Sequence, residues 1–242
     1  MPRNGDSSTA AGVAEHAALS DVGRERRGNE DSFLESPPLF VVADGMGGAQ
    51  GGEVASGMAV EILADAASAS DLTGAIEQAN QRIHSRARED GALAGMGTTV
   101  TAAWVDDATL TLAHVGDSRA YRLRDGSLEQ LTEDHSLVGG LVRMGKITAA
   151  EAEQHPQRSV ILRAVGVEPA VEVDVTKHEV EDGDVYLLCS DGLSGMVRDE
   201  VIAETLSLDA PLEASADMLI DLANASGGRD NITAVLFRTG AT

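Results

Sequence analysis

Leu39-Phe40-Val41-Val42-Ala43-Asp44-Gly45-Met46-Gly47-Gly48 is a run of apolar residues that stops at a carboxylate and a glycine-rich turn. An unbroken apolar run of this length, rather than an alternating one, is expected of a strand covered on both faces. Tyr186-Leu-Leu-Cys189 has the same character, whereas Thr109-Leu-Thr-Leu-Ala-His-Val115 alternates as a half-buried strand should. Working outward, strands are predicted at His16–Ser20, Ser32–Leu34, Leu39–Ala43, Thr98–Val105, Thr109–Val115, Ala120–Arg124, Leu128–Leu131, Val171–Thr176, Val185–Cys189 and Ile232–Arg238. Asp125-Gly126 marks a tight hairpin between two of them. Alanine-rich stretches predict helices over Glu53–Ala69, Leu72–Glu89, Ser136–Met144, Ala149–Gln154, Glu200–Leu206 and Leu212–Ala225, with Thr148 and Glu151 forming a capping box. Strands joined mostly by turns, with helices arriving in pairs, argue against a strictly alternating parallel sheet. The expected class is α+β: a four-layer α-β-β-α sandwich of two mainly antiparallel sheets flanked by helices. Residues 1–14 read as a flexible tail, 15–240 as one domain, and about 135–165 as a small helical flap.

With 242 residues and 43% hydrophobic content, the chain can bury one substantial core. Eighteen Lys and Arg against forty Asp and Glu give a formal charge of −22, which repels nucleic-acid backbones and anionic lipid. The single cysteine, Cys189, excludes an internal disulfide and a thiolate zinc cluster. No apolar run approaches the ~20 residues of a membrane span, and the first thirty residues lack the apolar stretch of a secretory signal. A cytoplasmic, monomeric enzyme or binding domain is the expectation.

Acidic residues sit at the strand ends. Asp44-Gly45 follows Leu39–Ala43, Gly116-Asp117-Ser118 follows Thr109–Val115, and Ser190-Asp191-Gly192 follows Val185–Cys189. Arg229-Asp230-Asn231 precedes Ile232, and Asn29-Glu30-Asp31 opens the strand at Ser32. Any one of these is an ordinary turn. Gathered at one end of a sandwich, without a His/Cys cluster, they describe a site for a hard cation such as Mg²⁺ or Mn²⁺.

Arg26-Arg27-Gly28-Asn29-Glu30-Asp31, Val42-Ala43-Asp44-Gly45-Met46-Gly47-Gly48, Gly97-Thr98-Thr99, Gly116-Asp117-Ser118-Arg119, Cys189-Ser190-Asp191-Gly192 and Asp230-Asn231 occur in this order. Together they resemble the PPM family of metal-dependent protein serine/threonine phosphatases, type 2C, in its compact bacterial form. The resemblance runs from about His16 to Arg238, making 15–240 a phosphatase catalytic domain. It implies hydrolysis of phosphoserine and phosphothreonine on proteins by a water or hydroxide bridging two Mn²⁺ or Mg²⁺ ions. Asp44 would bridge the ions, Glu30 and the Gly45 carbonyl would complete one, and Asp191 and Asp230 would hold the other. Asp31 would orient the water, and Asp117 with Asp191 would bind a third, weaker ion. Arg26 matches the phosphate-binding arginine, whose planar fork suits two phosphate oxygens; neighbouring Arg24 and Arg27 leave the register through this turn open. The implied partners are phosphoproteins, a cognate Ser/Thr kinase and its targets. Met46 departs from members with a histidine after Asp-Gly, so the leaving group's proton would come from a metal-bound water, another side chain or solvent.

Two rival readings are a pseudophosphatase, whose signature would be a missing metal carboxylate, and a phosphatase devoted to one regulatory protein, such as an anti-sigma antagonist. Gly140–Lys146 nearly fits a phosphate-binding loop but fails at Ile147, where Ser or Thr is required. A thiol phosphatase is excluded, because the sixth residue after Cys189 is Gly195 rather than Arg. His16, His84, His114, His135, His155 and His178 show no short ligand spacing; His135, before the flap, and His155 could be substrate-side groups, with a structural role the leading reading for each.

Overall fold

The computed structural model describes residues 12–106 and 108–240. In chain order it contains β1 (Val13–Asp21), β2 (Asp31–Ser36), β3 (Leu39–Met46), α1 (Gly48–Leu63), α2 (Leu72–Glu89), β4 (Gly97–Thr98), β5 (Val100–Asp106), β6 (Thr109–Val115), β7 (Arg119–Arg124) and β8 (Ser127–Gln130). There follow α3 (Leu137–Arg143), α4 (Ala149–Glu153), β9 (Asp174–Glu179), β10 (Val185–Cys189), α5 (Asp191–Ser194), α6 (Asp199–Leu206), α7 (Leu212–Ala225) and β11 (Ile232–Thr239). One sheet runs β1-β11-β10-β7-β8; the other runs β2-β3-β5-β6-β9, with β4 paired to β3. All the strand pairs are antiparallel.

The apolar runs are explained by three layers of core. In β3, Leu39 and Val41 face α1 and α2, while Phe40 and Val42 face the other sheet. In β10, Leu187 and Cys189 pack toward α6 and α7, while Tyr186 and Leu188 fill the space between sheets. Phe237 sits between Phe40 and Tyr186, with ring centroids 4.3 and 4.9 Å away, so aromatic contacts join the two sheets. Asp125 and Gly126 take φ values of 49° and 76°, the left-handed pair that a two-residue hairpin between β7 and β8 requires.

Several boundaries differ from expectation. Residues 1–11 of the predicted tail lie outside the described residues, and Val13 and Ala14 already belong to β1, where Val13 pairs with Thr239. The expected Thr98–Val105 strand breaks at Thr99, whose N–H donates to the Asp44 carbonyl at 2.8 Å and whose Oγ1 accepts the Asp44 N–H at 2.9 Å. Strand β9 lies three residues beyond its predicted start, because Val171 and Val173 pack against the helical side of the core while Asp174 begins the ladder to His114. Helix α1 begins and ends earlier than Glu53–Ala69. Its glycine-rich start gives no helical signal, yet a Cβ on Gly52 would collide with the Glu30 carboxylate. The single turn α5, where a plain turn was expected, starts at Asp191. The flap carries α3 and α4, and isolated bridges Ser136–Ile161 and Thr98–Val165 fasten its roots.

Candidate metal centre

Antiparallel pairing gathers the carboxylates. The end of one strand coincides with the start of its neighbour, so Asp31 at the head of β2 pairs in register with Asp44 near the end of β3. In the other sheet Cys189 pairs with Ala234, which brings Asp191, just past β10, alongside Asp230, just before β11. Asp117 leaves β6 at the same rim, where its charge acts on Asp44. Glycines make the approach possible. A Cβ on Gly45 would strike the carbonyl oxygens of Glu30 and Gly52, and one on Gly192 would strike the Asn231 carbonyl.

Asp31 ties the two sheets together. Its Oδ2 accepts the Ser190 hydroxyl at 2.8 Å and the Thr233 hydroxyl at 2.6 Å. Its Oδ1 is buried without a hydrogen-bond partner, and so is Oδ1 of Asp117. These residues are only 8% and 7% exposed, so two carboxylate oxygens stand desolvated and uncompensated. Burial, then the neighbouring carboxylates, raises both groups to about 7 against hydroxyl bonds to Asp31 that pull the other way. Burial and the charges of Asp31, Asp191, Asp117 and Asp230 push Asp44 well above the carboxylate range. Asp191 is raised by burial and by Asp230, and Glu30 chiefly by burial.

Such a set of oxygen donors fits a divalent cation, which would satisfy the orphaned oxygens and offset the mutual repulsion. Among the described residues, no three acidic, His or Cys side chains yet form a finished cage. Asp230 is engaged elsewhere: its Oδ2 accepts Arg26 at 2.7 Å and its Oδ1 accepts the Asn231 N–H at 2.8 Å. Among the described residues, Arg26 is the arginine of the basic turn that bonds a site carboxylate, while Arg24 and Arg27 lie exposed beside it. Met46 pairs with Gly97 across β3 and β4.

His135 and His114 support this rim from behind. The Gly116 N–H donates to His135 Nδ1 at 3.0 Å, which steadies the turn before Asp117, and His114 bonds Thr101 Oγ1 at 2.9 Å. Burial lowers His135 and, with His135 beside it, takes His114 down to about 4, so this pair is neutral and structural. Arg119 forks onto Asp134 with bonds of 2.9 and 2.7 Å and reaches the Tyr121 hydroxyl at 2.9 Å. Sequence reasoning had no role for Ser190, Thr233 or Asn231. A threonine wholly buried inside the apolar run of β11 was the available signal for one of them.

The raised carboxyls carry a pH signature. Asp31 and Asp117 titrate near 7 when folded rather than 3.8, so the native state holds more protons than the unfolded chain between about 4 and about 7. Their contribution to stability is therefore complete below that window and is lost as pH rises through it. In metal-free buffer, wild-type stability relative to Asp117→Asn is expected to decline from pH 4 to pH 7. Denaturant unfolding of both proteins across that range checks this, and parallel pH profiles would contradict it.

The protein phosphatase 2C family model matches residues 25–236. The serine/threonine phosphatase stp of Listeria monocytogenes is 42% identical over 233 residues, covering 90% of this chain and 92% of that protein. The serine/threonine protein phosphatase PstP of Mycobacterium tuberculosis is 46% identical over 93% of this chain, which spans 45% of that longer protein. The crystal structure of the catalytic domain of PstP in complex with two manganese ions superposes with a TM-score of 0.88 at 42% identity, covering 95% of this chain and 99% of that one.

Proposed function

Because this chain belongs to the protein phosphatase 2C family and is a serine/threonine phosphatase of that type, we propose that it hydrolyses phosphoserine and phosphothreonine on proteins by metal-assisted attack of water at the Asp44 end of the sandwich. The observation that carries this reading is the buried carboxylate cluster with its unpartnered oxygens on Asp31 and Asp117. Asp44, Glu30 and the Gly45 carbonyl would hold one cation, and Asp44, Asp191 and Asp230 a second. Asp117 with Asp191 would hold a third, more weakly, because few protein oxygens are available there. Bound Mn²⁺ or Mg²⁺ supplies Lewis acidity toward the phosphoryl oxygens and lowers the pKa of water.

The chain's own groups do the rest. Asp31, its Oδ2 fixed by Ser190 and Thr233, keeps Oδ1 free of hydrogen-bond partners and can orient the attacking water or take up its proton. Arg26 is half-exposed beside Asp230 and can offer two parallel N–H groups to phosphate. That positive charge, with the cations, lets an anionic phosphopeptide approach a chain of net charge −22. The carboxylates of both ligand sets are all present, which favours a catalyst over a pseudophosphatase. The stp and PstP relatives support a role in reversing bacterial Ser/Thr kinase signalling, with a cognate kinase and its phosphoprotein targets as partners. A single buried cysteine suits action in the cytoplasm, and no helix among the described residues is long and apolar enough to cross a membrane.

The arginine assignment has its own test. Arg26→Ala is expected to raise KM for a phosphothreonine peptide by about tenfold or more, the scale of a lost charge-assisted pair. Arg27→Ala should have a much smaller effect. Steady-state kinetics on both variants decide it, and the reverse order would move the phosphate-binding role to Arg27.

A further inference from the structure

Asn231 belongs to neither ligand set, yet its side chain grips the loop that carries Arg26 at three points. Its Nδ2 donates to the carbonyls of Val22 and Gly28, each at 2.9 Å, and its Oδ1 accepts the Glu30 N–H at 2.8 Å. The residue is 3% exposed, so water does not compete for these bonds. One planar amide thus holds the beginning and the end of the Val22–Glu30 segment. The early part of that segment has a second anchor, because the N–H groups of Arg24 and Glu25 donate to the Gly228 carbonyl at 2.7 and 3.2 Å. On the far side of Arg26, Asn231 bonds the Gly28 carbonyl and the Glu30 N–H, while the Glu30 carbonyl itself accepts from the Gly45 N–H at 3.1 Å and the Ser56 hydroxyl at 2.6 Å.

The chemistry selects asparagine. Two donors and an acceptor on one rigid group are needed here, and aspartate offers no donor while serine is too short to span the segment. Asn231 is also covalently next to Asp230, whose carboxylate bonds the Arg26 guanidinium. Asn231 is thus the side chain that links the stretch Gly28–Glu30 both to Val22 and to Asp230. We infer that Asn231 is a positioning residue for phosphate recognition, clamping the Val22–Glu30 loop so that Arg26 faces the substrate phosphate beside the cation that Glu30 would hold. This rests on the phosphatase reading above and names a residue to which that reading gave no part.

The test is Asn231→Asp, which keeps the acceptor for Glu30 but turns an oxygen toward the carbonyls of Val22 and Gly28. Three quantities are measured: amide hydrogen exchange in the metal-free protein, KM and kcat on a phosphothreonine peptide at saturating Mn²⁺, and a double-mutant cycle with Arg26→Ala. Amides of residues 24–30 should exchange faster while those of β11 stay protected. KM should rise by about tenfold, more than kcat falls, because ordered positioning is what is lost. Arg26→Ala should then cost less in the Asn231→Asp background than in the wild type. Unchanged loop exchange, or two effects that simply multiply, would overturn the inference, since a residue acting only as structural glue would leave the cycle additive. If Asn231→Asp does not fold, Asn231→Ser carries the same measurements, because water can enter the space and satisfy the freed backbone groups. A wild type without metal-dependent hydrolysis would instead sink the phosphatase reading, leaving the exchange arm to report on the clamp. An active wild type whose KM responds to Arg26→Ala but not to Asn231→Asp would sink the clamp alone.

Discussion

Exhaustive chelation is expected to abolish hydrolysis of a phosphothreonine peptide by this protein, and Mn²⁺ or Mg²⁺ to restore it. The expectation follows from the character of the site. The clustered side chains are carboxylates, of which Asp31, Asp44, Asp117 and Asp191 are held above their ordinary range by burial and by neighbouring carboxylates, Asp31 and Asp117 at about 7. Without a cation these groups offer neither a strong nucleophile nor an electrophile for a phosphate dianion. With cations bound, the same oxygens would serve as ligands, and the metal would supply a water acidic enough to act near neutral pH. The melting temperature should rise with added Mn²⁺ for a related reason: binding to the folded state alone stabilises it by mass action, and here it also relieves like-charge repulsion. Hydrolysis that survives chelation, with metal content verified by elemental analysis, would remove the metal from the mechanism.

Asp44→Asn should lower turnover by at least a hundred- to thousandfold, the range for removing one charged group on which the transition state depends. Burial pushes Asp44 well above the carboxylate range, and Asp31, Asp191, Asp117 and Asp230 all add to it. It is the shared ligand of the proposed arrangement, so its loss should weaken both ions together rather than one. The fold should survive. The amide is nearly isosteric and removes a source of repulsion, so the metal-free variant should melt no lower than wild type. Activity that falls while apo stability holds separates a ligand from a structural carboxylate. Near-wild-type turnover at full metal loading would show that Asp44 is not a ligand.

Much of this arrangement was legible before any coordinates. The runs at Leu39 and Val185 declared doubly covered strands, and the cores on either face of β3 and β10 are the reason. Helices Leu72–Glu89 and Leu212–Ala225 fell where their alanine-rich stretches placed them, and each buries one apolar stripe. Where the pattern failed, tertiary contacts had overridden it. Strand β9 is a polar edge that gains its extended form from pairing with β6 rather than from its own sequence. The glycines at the start of α1 look like a turn until Glu30 and Met96 are seen pressed against them. Helix α5 is a single turn, too short to carry a period of its own.

The site divides in the same way. Asp44, Asp117, Asp191 and Asp230 stand out in the sequence because each follows or precedes an apolar run. The groups that aim them do not, because Ser190, Thr233 and Asn231 act through hydrogen bonds between segments up to 209 residues apart. Nor does sequence reveal that Arg26 and Asp230, read as binding different partners, bond one another.

On this reading the acidic ends of the two sheets form one cation site at Asp44. Diffraction from crystals soaked in Mn²⁺, recorded at the manganese absorption edge, tests it most directly. Two strong anomalous peaks are expected about 4 Å apart, flanking the Asp44 carboxylate, one toward Glu30 and the Gly45 carbonyl and the other toward Asp191 and Asp230. A weaker third peak should lie beside Asp117 and vanish first as Mn²⁺ is lowered. Peaks confined to surface carboxylates, with none at Asp44 under conditions where the protein is active, would contradict the account.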